Sequence, residues 1–264
     1  MKIKDIKIIS KILATKNGNF KIEPDKVISR VSRAYSIVYR PNEKIVEHPL
    51  YIRNISTFIN TIKGIENCEI EVKNGFINIK DNNLNVKWSF QSSDPELFDE
   101  DVKKENTVMK MIDVANDIIA DDKNFVKFEL TPDETDLIIN NTSQIKGKTG
   151  NTVNSPYIKV TRNKGSRKIK LFLGCKGTQD NMEIEKTLTD IKFDDEFECA
   201  IRASAIHKGK WCGYIFKPDF HEDRGNGQTI PYFKIGDKKQ IAVYIYMNNV
   251  EDDLDLIAIH LQKL

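Results

Sequence analysis

Two acidic residues and a lysine in the last quarter of the chain have the order of a metal-dependent nuclease pattern. Pro218-Asp219 is followed by Asp237-x-Lys239. Such a site holds a metal ion and a water molecule together, which requires the second acid and the lysine on a buried strand. Here Asp237 lies in the run Ile235-Gly236-Asp237-Lys238-Lys239, which is typical of a hairpin turn. The sequence therefore favours a turn, and a metal nuclease is kept only as a third hypothesis.

Two other segments carry residue types that bind phosphate or metal. Gly147-Lys148-Thr149 resembles the end of a phosphate-binding loop, but that loop has glycine five positions earlier, where this chain has Thr142. The segment also follows a predicted helix rather than a strand, so a solvated basic turn is favoured. A second loop contains four potential ligands but ends in the flexible run Arg224-Gly225-Asn226-Gly227, which favours a solvated loop. These potential ligands are Asp219, His221, Glu222 and Asp223.

The histidines and cysteines do not indicate catalysis. No serine or cysteine stands in a nucleophile elbow, and the histidines lack partners at catalytic or metal-ligand spacing. The cysteines lie far apart and never form Cys-x-x-Cys, which is typical of reduced cysteines in an intracellular protein. The sequence thus predicts no enzyme, no metal and no cofactor. The residues concerned are His48, His207 and His260, and Cys68, Cys175, Cys199 and Cys212.

A stripe of lysines offers a different chemistry, the binding of phosphate groups. In the predicted helix 3–16, three lysines share one sector, and an apolar stripe lies almost opposite. The lysines are Lys4, Lys7 and Lys11, and the apolar residues are Ile6, Ile9 and Leu13. Alone, such a stripe is more often a solvated helix face than a DNA contact.

Three further predicted helices carry polar or basic residues opposite their apolar sides. The second runs from its N-cap Asn54 to Lys63, the third starts with a capping box at Thr131-Pro132-Asp133-Glu134, and the fourth covers Ala203–Lys210. Such a layer suits loose contact with phosphates without base reading. The apolar stripe of the second helix is Ile55, Phe58, Ile59 and Ile62, and the polar residues of the layer are Thr57, Asn60, Lys63, Asn140, Asn141, His207, Lys208 and Lys210.

Each half of the chain repeats one plan of helix, strand pair, short helix and further strands. The predicted divisions are an N-terminal domain 1–91, an acidic linking segment 92–124, and a C-terminal domain 125–264. Asn74-Gly75 is predicted as a hairpin turn. Thr107–Val114 fits an edge strand or a helix turn equally well. The predicted strands are 20–23, 27–39, 50–53, 69–73, 76–80, 85–90, 125–130, 157–161, 167–173, 182–188, 196–202, 213–217, 230–234, 241–247 and 254–261.

The composition fits a soluble, intracellular, two-domain protein. The chain has 264 residues, of which 39% are hydrophobic and 30% charged. No run approaches the roughly 20 apolar residues of a membrane span, and the N-terminus lacks the apolar core of a signal peptide. The formal net charge of +2 neither requires nor excludes nucleic acid, because binding depends on charge being segregated on one surface.

Several runs, taken in order, resemble those of DNA sliding clamps. Ser29-Arg30-Val31-Ser32-Arg33-Ala34-Tyr35-Ser36-Ile37-Val38 resembles the second strand of that family, with its Ser-x-x-x-Ser-x-x-Ser-Leu-Val pattern. Other matches resemble the edge strand before the interdomain connector, the connector, the closing hairpin and a run of phage-type clamps. They are, respectively, Thr107–Val114, Ala115–Asn124, Ile241–Met247 with Leu254–Leu261, and Gly75–Lys80 followed by Trp88-Ser89-Phe90 and Asp94-Pro95. Over nearly its whole length the chain resembles the family of proliferating cell nuclear antigen and the T-even-type phage clamps.

The resemblance implies an α+β DNA-clamp fold with two similar domains, each with two helices packed on antiparallel sheets. Three chains joined head to tail would then form a ring of six domains around double-stranded DNA. The implied partners are a DNA polymerase, a clamp loader and two further copies of the chain, with no membrane partner. A phage or viral origin would place the protein in the host cytoplasm. Two departures stand out, an acidic start of the third helix and an apparent insertion at His221–Gln228.

The resemblance also distributes roles among the residues. DNA-binding residues are Lys4, Lys7, Lys11, Lys63, Lys208 and Lys210. Subunit-interface residues are Val108, Met109, Met111 and Ile112 on one edge strand, and Lys170 and Phe172 on another, Arg167–Leu173. Partner-binding residues are Ala34, Tyr35, Ile118 and Ile119, around a groove that takes a short apolar peptide. The two isoleucines could equally pin the connector to its own domain. The alternative function is a non-ring nucleic-acid-binding replication accessory protein, which the molecular mass in solution separates from a ring.

Overall fold

The structure, a computed structural model, describes residues 3–13, 20–30, 35–65, 68–216, 240–249 and 251–263. The helices in these ranges are α1 (Ile3–Leu13), α2 (Ile55–Ile62), α3 (Asp99–Ala120) and α4 (Pro132–Gln144), with 3-10 helices at Pro95–Phe98 and Ala203–Ala205. The strands of the first half are β1 (Phe20–Ile22), β2 (Val27–Arg30), β3 (Tyr35–Tyr39), β4 (Leu50–Ile52), β5 (Cys68–Lys73), β6 (Phe76–Asp81) and β7 (Val86–Gln91). Those of the second half are β8 (Phe125–Leu130), β9 (Gly147–Thr149), β10 (Thr152–Asn154), β11 (Tyr157–Arg162), β12 (Lys168–Gly174), β13 (Asn181–Thr187), β14 (Asp190–Ile191), β15 (Phe197–Arg202), β16 (Trp211–Phe216), β17 (Gln240–Asn249) and β18 (Leu254–Lys263).

These elements form two compact units. The first comprises Met1–Val108 together with Asp252–Asp255, and the second comprises Met109–Glu251 together with Leu256–Leu264. The division between the units falls inside α3. The boundaries expected at residues 91 and 124 stay a prediction of the sequence.

In the first unit α1 packs beside α2 and also contacts β2 and β3. Both helices bury the apolar stripes that the sequence predicts, because residues three and four positions apart share one face of a helix. The side-chain oxygen of Asn54 caps α2 as predicted, accepting a hydrogen bond from the backbone N–H of Thr57 at 3.1 Å. The buried residues include Ile6, Ile9 and Leu13 on α1, and Ile55, Phe58, Ile59 and Ile62 on α2. Residues 14–16, predicted as part of α1, lie outside the described residues.

A buried hydrogen bond fixes how α1 is rotated on the strands beneath it. The hydroxyl of Tyr39, at the end of β3, donates to the carboxylate of Asp5 in the first turn of α1. Asp5 is 8% exposed and Tyr39 is 1% exposed. Burial first, and then the hydrogen bond to Asp5, raise the pKa of Tyr39 above its ordinary value. The only acidic side chain in the sequence of α1 therefore points inward, away from the lysines.

The strands of the first unit pair antiparallel throughout. β1 pairs with β4, β2 with β3, and β5, β6 and β7 form a three-stranded sheet in that order. Asn74 and Gly75 join β5 to β6 with φ angles of 52° and 75°. Positive φ at both positions is what a type I′ hairpin turn requires, so the predicted turn is confirmed. The ring of Phe90 in β7 lies edge-on to Phe58 of α2 at 5.9 Å, which joins the apolar face of this sheet to the helix.

The second unit repeats the same pairings in the same chain order. α4 follows β8 and begins with the predicted capping box, in which the Glu134 N–H donates to Thr131 Oγ1 at 3.3 Å and the Thr131 N–H donates to Glu134 Oε2 at 2.8 Å. The repeat and the α+β class expected from the sequence are thus confirmed. The pairs β1·β4 and β2·β3 and the sheet β5-β6-β7 correspond to β11·β15, β12·β13 and β16-β17-β18.

Of the two alternatives predicted for Thr107–Val114, the helix is confirmed and the edge strand is wrong, because this segment lies inside α3. Its apolar residues recur at helical spacing, and the helix buries them on one side. Reading 108–112 as one apolar run hides that period. The connector predicted at Ala115–Asn124 is likewise helical as far as Ala120. The buried residues are Val108 (7% exposed), Met111 (7%), Ile112 (0%) and Ala115 (3%), while Met109 is half-buried.

The second predicted edge strand, Arg167–Leu173, is also wrong as an edge. It forms β12, with Lys170 and Phe172, and β12 pairs with β11 on one side and β13 on the other. Among the described strands, β13 stands at the end of the order β13-β12-β11-β15. Which strand forms an edge depends on pairing between distant segments, which local patterns do not reveal. The interface roles of the six residues stay a prediction, although neither segment is the edge strand on which these roles were based.

The fourth predicted helix, Ala203–Lys210, is reduced to the 3-10 turn Ala203–Ala205. The backbone that follows is bonded elsewhere: Thr135 Oγ1 of α4 donates to the carbonyl of Gly209 at 3.1 Å and accepts from its N–H at 3.3 Å. Trp211 Nε1 donates to the carbonyl of His207 at 2.8 Å. The carbonyl of His207 and the backbone groups of Gly209 therefore have side-chain hydrogen-bond partners and do not depend on a longer helix to satisfy them.

The helical state of α3 changes the expected result of placing proline at position 111. In an edge strand Met111→Pro would remove a ladder donor and open an assembly, whereas inside α3 it breaks the helix. We expect Met111→Pro to lower the free energy of unfolding by about 3 kcal/mol or more in urea titrations. Met111→Leu, which conserves volume, is the control and costs less than about 1.5 kcal/mol. A proline variant of normal stability would contradict the helix.

The Tyr39–Asp5 bond predicts a distinct pH dependence. The pKa of Tyr39 is raised in the folded state, so its contribution is present below the unfolded value of about 10 and is lost as pH rises through the folded value. The free energy of unfolding of the wild type should therefore fall more steeply above pH 10 than that of Tyr39→Phe. At neutral pH we expect Tyr39→Phe to be less stable by about 1–3 kcal/mol, because buried Asp5 loses a donor. Parallel curves between pH 8 and 11 would contradict this.

Candidate nucleic-acid interface

The solvent side of α1 carries three of the lysines of the predicted interface. Lys4, Lys7 and Lys11 are all exposed. Lys4 Nζ lies 3.4 Å from Asp253 Oδ2, a surface ion pair worth little in water. Within the described part of the chain, Lys7 and Lys11 have no carboxylate partner. Because Asp5 is turned inward, the outer face of α1 keeps its positive charge.

α2 adds a weaker, largely neutral surface beside α1. Its exposed residues include Thr57 and Asn60, with Lys63 at its C-cap. No acidic residue occurs between Ile55 and Lys63 in the sequence. Lys63 has no carboxylate within ion-pair distance among the residues that the structure describes. Among the residues that the structure describes, Lys7, Lys11 and Lys63 thus have no acidic partner, and Thr57 and Asn60 add side chains that can donate to phosphate oxygens.

The predicted DNA-binding lysines of the second unit are placed differently. Lys208 Nζ lies 2.6 Å from Asp136 Oδ2 of α4, and Lys210 Nζ lies 3.1 Å from Glu129 Oε2 of β8. The hydrogen bonds to these carboxylates raise the pKa of both lysines. Both lysines are exposed, but each charge is matched by an acid that sequence distance concealed. Asp136, in the acidic start of α4 noted as a departure, and Glu129 of β8 therefore offset the two positive charges of this part of the interface.

The residues predicted to bind a partner peptide are not brought together by the described structure. Ile118 and Ile119 are half-buried on α3, where they continue the spacing of its buried residues. The sequence contains this signal, because Ile118 and Ile119 lie three and four residues after Ala115 and so share its face of a helix. Ala34 lies outside the described residues, and of Tyr35 only the backbone, in β3, is described. The peptide groove stays a prediction, and the observed helix favours packing for the two isoleucines.

The candidates for catalysis and metal binding lie mostly beyond what the structure describes. Pro218, Asp219, Asp237, Lys239 and the loop His221–Gln228 are outside the described residues. Within the described ranges no group of three or more His, Cys, Asp or Glu residues could hold a metal ion. The described helices include none that is both long and apolar enough to cross a membrane. Cys68, Cys175, Cys199 and Cys212 are free cysteines.

The Gly147-Lys148-Thr149 segment, in which Gly147 is buried and Lys148 and Thr149 are exposed, is the feature that sequence reasoning underrated. It is not a loose turn but the strand β9, paired with β10 in a short hairpin directly after α4. Lys146 and Lys148 are exposed on it, as is Lys176 on the turn it packs against. The sequence signal for this feature is Gly147, a glycine between Lys146 and Lys148 that allows close packing of the backbone.

Comparison with known proteins supports a fold but not a sequence family. No protein-family model and no curated protein matches the sequence. A crystal structure of the DNA polymerase sliding clamp from Pseudomonas aeruginosa with ligand is similar at a TM-score of 0.52 and 8% identity, covering 98% of this chain and 64% of that chain. A second structure of that clamp gives 0.51 and 7%, and one of the DNA polymerase III subunit beta from the same organism gives 0.52 and 8%, each covering 98% of this chain and 65% of that chain.

The chain thus spans a little under two thirds of the length of the clamps it resembles. These neighbours are bacterial, and the narrower resemblance to proliferating cell nuclear antigen and the T-even phage clamps is not confirmed. At such low identity the likeness concerns architecture alone, and it agrees with the two repeated α+β units. The chain has the fold of the DNA polymerase sliding clamps.

Proposed function

We propose that this chain is a sliding clamp, which encircles duplex DNA and tethers a replicative DNA polymerase without catalysing a reaction. The observation that carries the proposal is the outer face of α1. On a clamp fold, this helix presents Lys4, Lys7 and Lys11 to solvent while its only acid, Asp5, is buried under Tyr39. A helix that exposes lysines and buries its acid suits contact with the phosphates of DNA without recognition of the base sequence.

Lysine is well suited to this contact. Its ammonium group acts as a mobile point charge, so it can pass from one phosphate to the next without a fixed geometry. Phosphate contacts carry no sequence information and weaken steeply with salt. Weak, sequence-independent contact is what a protein requires if it is to slide along DNA. The polymerase would then stay on the DNA because the clamp encloses the duplex, and not because the clamp binds DNA tightly.

Enclosure requires several copies of the chain, because two units cannot surround a duplex. Three chains joined head to tail give six units, and a rotation of one third of a turn closes such a heterologous contact. The contact needs one free strand edge in each unit. In the second unit the candidate edge is β13, and in the first unit it is β7, each at the end of its sheet among the described strands.

The internal repeat supports β7 as the strand that would meet β13 of the next copy. β7 corresponds to β18, and β13 corresponds to β3. Within the first unit, the start of β18 already lies beside the end of β3: the N–H of Arg40 donates to the carbonyl of Asp253 at 3.1 Å, and its guanidinium pairs with Asp255. The same pairing between copies would join β7 to β13.

The two edges also have matching faces. In β7, Val86 and Trp88 are partly exposed on the apolar face, and in β13, Met182 and Ile184 are half-exposed at alternate positions. Pairing the strands would continue both apolar faces across the contact and cover these side chains. A non-ring replication accessory protein, the alternative function, has no need of two complementary edges.

Proline at two neighbouring positions of β13 tests the ring contact. Successive N–H groups of a strand point to opposite sides, so one of Ile184→Pro and Glu185→Pro removes a bond to β12 and the other removes the outward donor. We expect the variant that loses a bond to β12 to have a lower free energy of unfolding. The variant that loses the outward donor should be as stable as the wild type but should no longer sediment as a trimer at equilibrium. A wild type that sediments as a monomer at micromolar concentration, or a trimer that survives both substitutions, would refute the contact.

Charge reversal on α1 tests the DNA face. We expect the triple variant Lys4→Glu, Lys7→Glu and Lys11→Glu to lose processive synthesis by the cognate polymerase while its unfolding curve stays near that of the wild type. Lys208→Gln with Lys210→Gln is the matched control, because these lysines are already paired with acids, and we expect a much smaller loss. If the α1 variant supports synthesis as well as the wild type, the lysines of α1 do not face DNA.

A further inference from the structure

The hairpin formed by β9 and β10 carries a rigid cluster of positive charge. Thr149 pairs with Thr152, Lys148 with Val153, and Gly147 with Asn154. The hairpin begins three residues after α4 ends, so it extends from the helix that corresponds to α1 in the repeat. We call residues Lys146–Asn154, together with Lys176, the lysine hairpin.

The lysine hairpin is held against the turn at 176–177 by contacts that only glycine permits. A Cβ at Gly147 would lie 2.0 Å from the carbonyl oxygen of Lys176. A Cβ at Gly177, whose φ is +86°, would lie 2.1 Å from the carbonyl oxygen of Lys148. The Asn154 amide donates to the Lys176 carbonyl at 2.7 Å and to Thr149 Oγ1 at 2.9 Å. The two backbones therefore lie in direct contact, and their lysines are carried on one fixed platform.

The charges of this platform are not neutralised within the described part of the chain. Lys146, Lys148 and Lys176 are exposed and have no carboxylate within ion-pair distance there. Asp180, four residues after Lys176, accepts a hydrogen bond from Thr178 Oγ1 at 3.0 Å instead. Most of the other lysines in the described part of the second unit do have such partners. The paired lysines are Lys127, Lys159, Lys168, Lys170, Lys186, Lys192, Lys208 and Lys210.

We propose that the lysine hairpin binds the phosphate backbone of duplex DNA, as the counterpart in the second unit of the lysines on α1. This inference rests on the proposed clamp function. The second unit needs another source of positive charge because Lys208 and Lys210 are matched by acids. Three lysines on a fixed platform lose little backbone entropy on binding, and the exposed Thr149 and Thr152 add hydroxyl donors that phosphate oxygens accept.

The test replaces the three lysines and compares the variant with a matched set. Lys146→Gln, Lys148→Gln and Lys176→Gln together remove the cluster. The control is Lys110→Gln, Lys123→Gln and Lys164→Gln, which are exposed lysines of the same unit that also lack a carboxylate partner among the described residues. Binding of each full-length protein to a short fluorescent duplex is measured by anisotropy over a range of salt concentrations.

The expected readout is the slope of log affinity against log salt. Each phosphate contact contributes about 0.9 to the magnitude of this slope, so the hairpin variant should lose up to about 2.7, and the control variant should lose less than about 0.9. Because all six positions are exposed, thermal unfolding should show every variant to be folded.

Three results would count against the proposal, and they are distinguishable. A wild-type slope near zero would overturn the proposed clamp function as a whole. A hairpin variant with the wild-type slope, beside a charge-reversed α1 variant with a reduced one, would overturn the hairpin site alone. A hairpin variant that keeps the wild-type slope but loses capture of the polymerase would assign the lysine hairpin to an acidic protein partner instead.

Discussion

The placement of carboxylates determines which lysines of this protein can meet a phosphate group. A lysine that already donates to an acid gains little from a second anion, because the first interaction must be given up. On α1 the only acid is buried under Tyr39, and Lys7 and Lys11 have no carboxylate partner among the described residues. Beside α4, Asp136 and Glu129 engage Lys208 and Lys210. Two units with the same strand plan therefore present different electrostatic surfaces, and a formal net charge of +2 conceals this difference.

Local signals explain why much of the fold could be predicted from the sequence. These signals depend on residues that are close together in the sequence. They are the apolar stripes of α1 and α2, the capping box at Thr131 and the Asn74-Gly75 turn. The same reasoning failed for α3, where acidic residues and an apolar run obscured a helical period that starts at Val108. It also failed for the partners of the second-unit lysines, since Lys208 and Asp136 are 72 residues apart.

Strand order was the other property that local patterns could not supply. β12 and β13 have the same alternation of apolar and polar residues, and only the pairing of β12 with β11 makes β13 the edge. The repeat recovers part of this information, because each strand of one unit has a counterpart in the other. Two edges can then be compared with a contact that already exists near Arg40. In a protein built from repeated units, a contact observed within one chain indicates where an equivalent contact between copies would form.

The charged row along β12 and β13 has a consequence for the chain before it meets any neighbour. Lys168 lies 2.5 Å from Glu185, and Lys170 lies 3.0 Å from Glu183, so the polar face of β13 carries a line of glutamates. Two such edges from separate chains would bring like charges together, whereas β7 presents Lys87 on its polar face. Exposed strand edges are sites of aggregation, and charged residues suppress it. Glu183 and Glu185 would thus disfavour the stacking of newly made chains into fibres through their β13 edges.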